Sequence, residues 1–330
     1  MKQKIVVLLL TVCLIGVPIA VSSVDDVSDG TVTSDFEETE YVSYDFSTEE
    51  YSTYTLTEEY TVDQTWDLLD SDLVDQMTVS QNTIDSSVIT SFGDVSGTLG
   101  VIGTDTRFYT YPYSNPYCAV AYLTCGDYRG TAYIVSEHVM ITAAHCVADD
   151  ETGRVYGNVY VYFGLYSSSL SSASYTKVQA SVTSYPTAYF GDNGGANSKY
   201  DYCILTFEDA IVCDYYFNCI KSGNVSTDET IYVTGYPKYH TSSSTIIYYQ
   251  MTSSGAISSR SSYMVYYSND TSKGMSGGPI YYKSSWECIG IITGEYYYTD
   301  DDTKIYTKNS GVLFWSTPYS SICSNIAAYE

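Results

Sequence analysis

The sequence predicts an all-β domain, a sandwich or a barrel, over residues 101–330 of a 330-residue chain. Short runs rich in Tyr, Val, Ile and Thr alternate with clusters of Gly, Ser, Asn and Asp from Val101 onward. No sustained helical periodicity competes with them, and many short strands of this kind favour sheets. The 39 tyrosines point the same way, because tyrosine fits a pleated, half-buried surface.

Taken in order, residues 1–23 come first. Lys2 and Lys4 precede an apolar run from Ile5 to Ala20, and small residues close it near Ala20–Ser23. That pattern is the one expected of a secretory signal peptide. The run is shorter than the roughly 20 apolar residues that span a bilayer. The expectation is a secreted, extracellular protein with no stable membrane insertion after signal removal.

Residues 24–100 hold 19 acids and no Lys or Arg, within a net charge of −25 for the whole chain. Self-repulsion and few aliphatic residues predict a mostly disordered acidic segment, a propeptide or a stalk. Trp66, Leu68, Leu69 and Leu73 could form a short helix or a docking element within it. An acidic surface repels phosphate backbones, so nucleic acid is excluded as a partner.

The strand signals then follow. "GTAYIVSEHVMITAAH" spans 130–145, "GNVYVYFGLY" 157–166, "TIYVTGYP" 230–237 and "STIIYYQMTSSGAI" 244–257. Each is bounded by turn residues. The tail "TPYSSICSNIAAYE" predicts a short closing helix.

There are nine cysteines, and Cys13 would leave with the signal. An even set of eight in a secreted chain favours disulfides. Sequence leaves the pairing open. Cys125 with Cys146 is carried forward because it would tie a strand to the loop beside His145. No pair is spaced C-x-x-C and only three histidines exist, so no zinc site is expected and no metal or cofactor is called for.

Nucleophilic chemistry by serine needs an imidazole to take the hydroxyl proton. Of His138, His145 and His240, only His145 stands in an informative setting: "MITAAHCV" runs an apolar strand into small residues. His138 and His240 read as structural. "SKYDYCILTF" places Asp201 at the head of an apolar strand, where a carboxylate is costly to bury without a partner. In "SKGMSGGPI", the N–H groups of Gly274 and Ser276 can converge on one point, an oxyanion site. The order His145, Asp201, Ser276 is that of the chymotrypsin type of Ser-His-Asp triad.

"ITAAHC", "YDYCIL" and "GMSGGP" resemble the three signatures of chymotrypsin-like serine endopeptidases. "VIGTDTRF", "YPYSNPYCAVAYL" and "IYVTGYP" are similar to the bacterial glutamyl endopeptidase branch. The resemblance covers about residues 100–316. It implies two antiparallel six-stranded β-barrels, with a linker near residues 214–228. It places His145 and Asp201 on the first barrel and Ser276 on the second. It also implies protein or peptide substrates, a mature start near Val101 and a monomer.

Digestive members of the family carry an acid before the serine that receives a new N-terminal ammonium. Met275 occupies that place here and cannot accept it. The glutamyl branch also lacks the acid, so catalysis is expected to survive without this activation switch.

For the substrate pocket, the resemblance offers two readings. Thr271 matches the glutamyl branch, but the histidine that branch carries in the following strand falls at Ile292. Asp270 matches the pocket-floor acid of trypsin-like enzymes and would favour Lys or Arg by direct ion pairing. Asp270, Thr271 and Thr293 are therefore the substrate-binding candidates, with a Lys/Arg preference expected and glutamyl specificity the alternative. A non-catalytic binding module on the same fold is the rival from another class.

Overall fold

The structure is a computed structural model. It describes residues 36–57, 59, 100–167, 173–191, 198–237, 239–240, 246–300 and 303–329. The expected signal peptide and the Trp66–Leu73 patch lie outside the described residues.

The chain opens with a hairpin, β1 (Thr39–Asp45) and β2 (Glu50–Leu56). A two-residue strand β3 (Phe108–Tyr109) follows. The first half of the domain holds β4 (Val120–Cys125), β5 (Tyr128–Ser136), β6 (Val139–Thr142), β7 (Val159–Phe163), β8 (Thr176–Gln179), β9 (Val182–Pro186) and β10 (Cys203–Thr206). The second holds β11 (Thr230–Gly235), the short pair β12 (Tyr239–His240) and β13 (Ile246–Ile247), β14 (Met251–Arg260), β15 (Met264–Tyr267), β16 (Pro279–Tyr282), β17 (Cys288–Asp300) and β18 (Thr303–Leu313). Helix α1 (Ser316–Ala327) closes the described chain, as the tail predicted.

The second half forms a closed barrel in the order β11-β16-β17-β18-β15-β14, with β14 pairing back onto β11. Alternate residues of these strands, among them Ile231, Val233, Val265, Ile280 and Leu313, fill its core. The first half is a sheet in the order β2-β1-β9-β10-β6-β5-β4-β7-β8. The expected pair of closed six-stranded barrels is thus one barrel and one half-barrel. Both edges of β9 are occupied, by β10 and by β1.

The expectation of a mostly disordered segment 24–100 also needs correction at residues 39–56. In "TEYVSYD" and "EYSTYTL" the aromatic and β-branched residues recur closely enough to form strands despite the flanking acids. Tyr41 is fully buried, and Val42 and Leu56 nearly so.

Twelve of the described tyrosines are buried. Tyr133, Tyr185, Tyr189, Tyr202, Tyr236, Tyr267 and Tyr281 are among the largest fully buried side chains. Phe217, in the connection between the halves, packs edge-on against Tyr133 and also contacts Tyr281, with ring centroids 5.5 and 5.2 Å apart.

Candidate active site

Strand β6 is buried along its whole length and delivers His145 at its end, in a single 3-10 turn, Ala144–Cys146. Ala143 and Ala144 are fully buried, and their small side chains let the turn pack tightly. Asp201 precedes β10, which pairs with β6 in antiparallel register. Sheet pairing therefore brings the two residues together across 56 positions of sequence.

The carboxylate of Asp201 has no exposed surface. Its Oδ2 lies 2.7 Å from His145 Nδ1, and its Oδ1 accepts the His145 backbone N–H at 3.0 Å. The second contact fixes the carboxylate relative to the main chain as well as to the ring. Burial alone would lower the imidazole pKa, but the charge and hydrogen bond of Asp201, with Cys146 beside the ring, outweigh it and hold the ring well above its ordinary value. With Nδ1 committed to Asp201, Nε2 is left for a substrate-side proton.

Ser276 reaches this place from the other half. Its carbonyl accepts the Thr131 N–H at 2.8 Å and the Cys146 thiol at 3.5 Å, so it lies against the residue after His145. The turn has φ of +95° at Gly274 and +84° at Gly277. Gly277 is required for space too: a Cβ there would stand 2.2 Å from both Thr131 O and Thr142 Oγ1. Among the described residues, the N–H groups of Gly274 and Ser276 donate to no backbone carbonyl, whereas those of Met275, Gly277 and Gly278 do. Two free donors in a tight turn are what an oxyanion site requires.

Sequence reasoning missed Thr131. Its hydroxyl donates to Gly274 O at 2.8 Å and accepts the Tyr236 N–H at 2.9 Å. Its carbonyl accepts the Thr142 hydroxyl at 2.7 Å. One residue of β5 thus ties the strand that delivers His145 to the turn that carries Ser276. A threonine in a β-strand gives no local signal of such a role.

Met275 is fully buried in the core of the closed barrel. His138 is structural, as read from sequence: its Nδ1 lies 2.9 Å from Phe207 O and its ring stacks on Tyr329. His240 falls on β12.

The pocket candidates separate. Asp270 is buried, and its carboxylate accepts the N–H groups of Ile102 and Thr106, each at 2.7 Å, and the Thr106 hydroxyl at 2.6 Å. The carboxylate seats residues 102–106. Thr271 is buried beside it and donates its N–H to Gly100 O at 3.1 Å. Thr293 sits at an irregularity of β17, between Ile292 and Gly294, with its hydroxyl buried and without a partner among the described residues. Ile292 pairs with the serine turn through Gly277 N and Gly278 O, at 2.8 and 2.9 Å, so Thr293 adjoins that turn.

No disulfide joins the eight described cysteines. Cys125 donates to the carbonyls of Val147 and Gly157, and Cys146 to Ser276 O. The expected Cys125–Cys146 bond is therefore absent. Cys118 and Cys213 approach each other instead, with sulfurs 3.7 Å apart.

Residues 130–291 match the family model described as the trypsin-like peptidase domain. Over 197 residues it is 29% identical to the glutamyl endopeptidase of Bacillus licheniformis, covering 56% of this chain. The match spans 55% of that relative's length. A solved structure of a Glu endopeptidase in complex with MPD superposes with a TM-score of 0.56 at 22% identity. It covers 70% of this chain and all of the other. This second likeness shows the fold, all-β and chymotrypsin-like.

Proposed function

We propose that the chain is a serine endopeptidase acting through Ser276, His145 and Asp201. His145 Nε2 takes the Ser276 hydroxyl proton as the oxygen attacks the substrate carbonyl. The N–H groups of Gly274 and Ser276 hold the resulting oxyanion. The imidazolium then gives its proton to the leaving amine, and an acyl-enzyme forms. Water, deprotonated by the same imidazole, releases the acid product. Asp201 holds the ring tautomer and stabilises its charged form. The observation that carries this reading is the 2.7 Å contact of a fully buried Asp201 with His145 Nδ1. No cofactor enters the scheme.

For specificity, the glutamyl reading is now preferred to Lys/Arg. The Asp270 carboxylate already accepts from three donors in residues 102–106. The unpartnered Thr293 hydroxyl beside the serine turn, together with Thr271, offers donors to an acidic side chain. The likeness to a glutamyl endopeptidase points the same way. The signal-like residues 1–23 support export, with peptides or proteins outside the cell as substrates.

The test is cleavage of a mixed peptide library by the purified wild type and by Ser276→Ala. The expected result is cuts after acidic residues by the wild type and a loss of about 10⁴–10⁶ in turnover in a folded variant. Equal activity of the two proteins would overturn the triad. Cuts confined to Lys and Arg would overturn the acidic preference alone.

A further inference from the structure

The hairpin β1–β2 lies in the acidic segment that sequence reads as a removable propeptide or a stalk, yet it is built into the catalytic half. Strand β1 adds to the edge of β9 through Tyr41–Asp45 opposite Val182–Pro186. The Ser43 and Ser184 hydroxyls meet at 2.6 Å, and Phe46 N–H donates to Ser181 O at 3.0 Å. Tyr51 accepts the Val155 N–H through its hydroxyl at 3.0 Å.

Two contacts converge on the loop that carries the catalytic acid. The hydroxyls of Tyr41 and Tyr202 lie 2.7 Å apart, both side chains fully buried, and Tyr202 follows Asp201. The Glu37 carboxylate receives Lys199 Nζ at 2.8 Å on each oxygen and the Tyr200 hydroxyl at 3.3 Å. It also receives the hydroxyl of Tyr263, at the start of the β15 region of the other half, at 3.3 Å. The Glu37 main chain is held by Thr317 of α1, whose hydroxyl accepts the Glu37 N–H and faces its carbonyl, both at 2.9 Å. Glu59 pairs with Lys221, in the connection between the halves.

We infer that residues 36–59 are a retained, integral part of the active protein, so that cleavage between Glu59 and Val101 leaves a two-chain enzyme in which Tyr41 and Glu37 are positioning residues for Asp201. The main-chain ladder to β9, the buried tyrosine pair and the Glu37 contacts to both halves remain after such a cut, because none depends on chain continuity through residues 60–99. The effect on turnover rests on the endopeptidase reading; retention of the fragment does not.

The experiment inserts a site-specific protease sequence after Ser80 in the full chain and cuts it there. The expected result is that the fragment containing residues 36–59 co-elutes with the catalytic part on native gel filtration. It should separate only in denaturant. Elution of the fragment by itself, with the remainder keeping its full turnover and melting temperature, would overturn the inference. The second arm uses the uncut chain with Tyr41→Phe and Glu37→Gln. Each should lower kcat about three- to tenfold at unchanged KM. Each should also move the acid limb of the pH–rate profile, because the Asp201–His145 pair is what they orient. A profile and kcat identical to wild type in both variants would remove the positioning role. Fluorophosphonate labelling of Ser276, lost in Ser276→Ala, separates these outcomes from failure of the endopeptidase reading.

Discussion

The Asp270 carboxylate accepts both the main-chain N–H and the hydroxyl of Thr106, at 2.7 and 2.6 Å. A residue six positions before Ser276 thereby seats the segment that follows Gly100. Asp270→Ala leaves these buried donors without their acceptor. Hydrogen bonds to a charged group contribute about 1.5–3 kcal/mol each, and partial relaxation leaves a cost of about 3 kcal/mol. Calorimetry should record a melting temperature lower by roughly 6–12 °C. The same variant should keep the wild-type cleavage preference in a peptide library. A switch away from Lys or Arg on this substitution would restore Asp270 to the pocket.

Thr131 holds Gly274 O through its hydroxyl. Thr131→Val keeps the shape and deletes that bond. The turn that presents the Gly274 and Ser276 N–H groups should then lose its fixed geometry. The expected outcome is a kcat lower by about tenfold to a hundredfold with KM little changed, since the donors serve the transition state more than the bound substrate. Thr131→Ser, which keeps the hydroxyl, should recover most of the rate. Steady-state kinetics on one peptide checks both.

The His145 imidazole is held above its ordinary value by Asp201 against the pull of burial. The ring must be neutral to accept the Ser276 proton, so activity should rise with pH through a range above the usual imidazole value of about 6.5. Asp201→Asn removes the negative charge. The acid limb should then move to lower pH, while kcat falls by about 10⁴ because the tautomer is no longer fixed. For stability the sign is opposite in pH. A raised folded-state value adds stability below the unfolded pKa, and that contribution disappears as pH climbs through the folded one. pH–rate profiles and melting curves of the two proteins provide the comparison.

Cys118 and Cys213 stand 3.7 Å apart between sulfurs and 95 residues apart in sequence. Under oxidising conditions this pair should close first. A bond across a loop of that length contributes about 4–5 kcal/mol in the chain-entropy account. Non-reduced peptide mapping should recover Cys118 joined to Cys213, and Cys118→Ser should lower the melting temperature only in oxidised protein. Recovery of Cys125 joined to Cys146 instead would contradict the arrangement of thiols described above.

The His145–Asp201 contact was more legible in the sequence than its surroundings were. His145 and Asp201 were legible because an imidazole after small residues and a carboxylate heading an apolar strand each need a special environment. The alternating Tyr, Val and Ile runs likewise announced an all-β chain. The β1–β2 hairpin was obscured because net charge is averaged over a window, whereas strand pairing depends on which face each residue takes. The seating role of Asp270 was hidden for a related reason. Its position before the serine is local information, but its partners lie 164 and 168 residues away. Thr131 gave no signal at all, since its role exists only once both halves are folded.

Met275 fills the core of the closed barrel, where the digestive enzymes that the motifs resemble are expected to place an ion pair. A thioether has no proton to gain or lose in water. The shape of the serine turn is therefore indifferent to the titration of any amine, which for an α-amino group falls near pH 8. Enzymes locked by such an amine fade in alkali as the lock discharges. Here the hydrophobic plug has no such charge to lose, so the activity proposed above should extend toward the alkaline side.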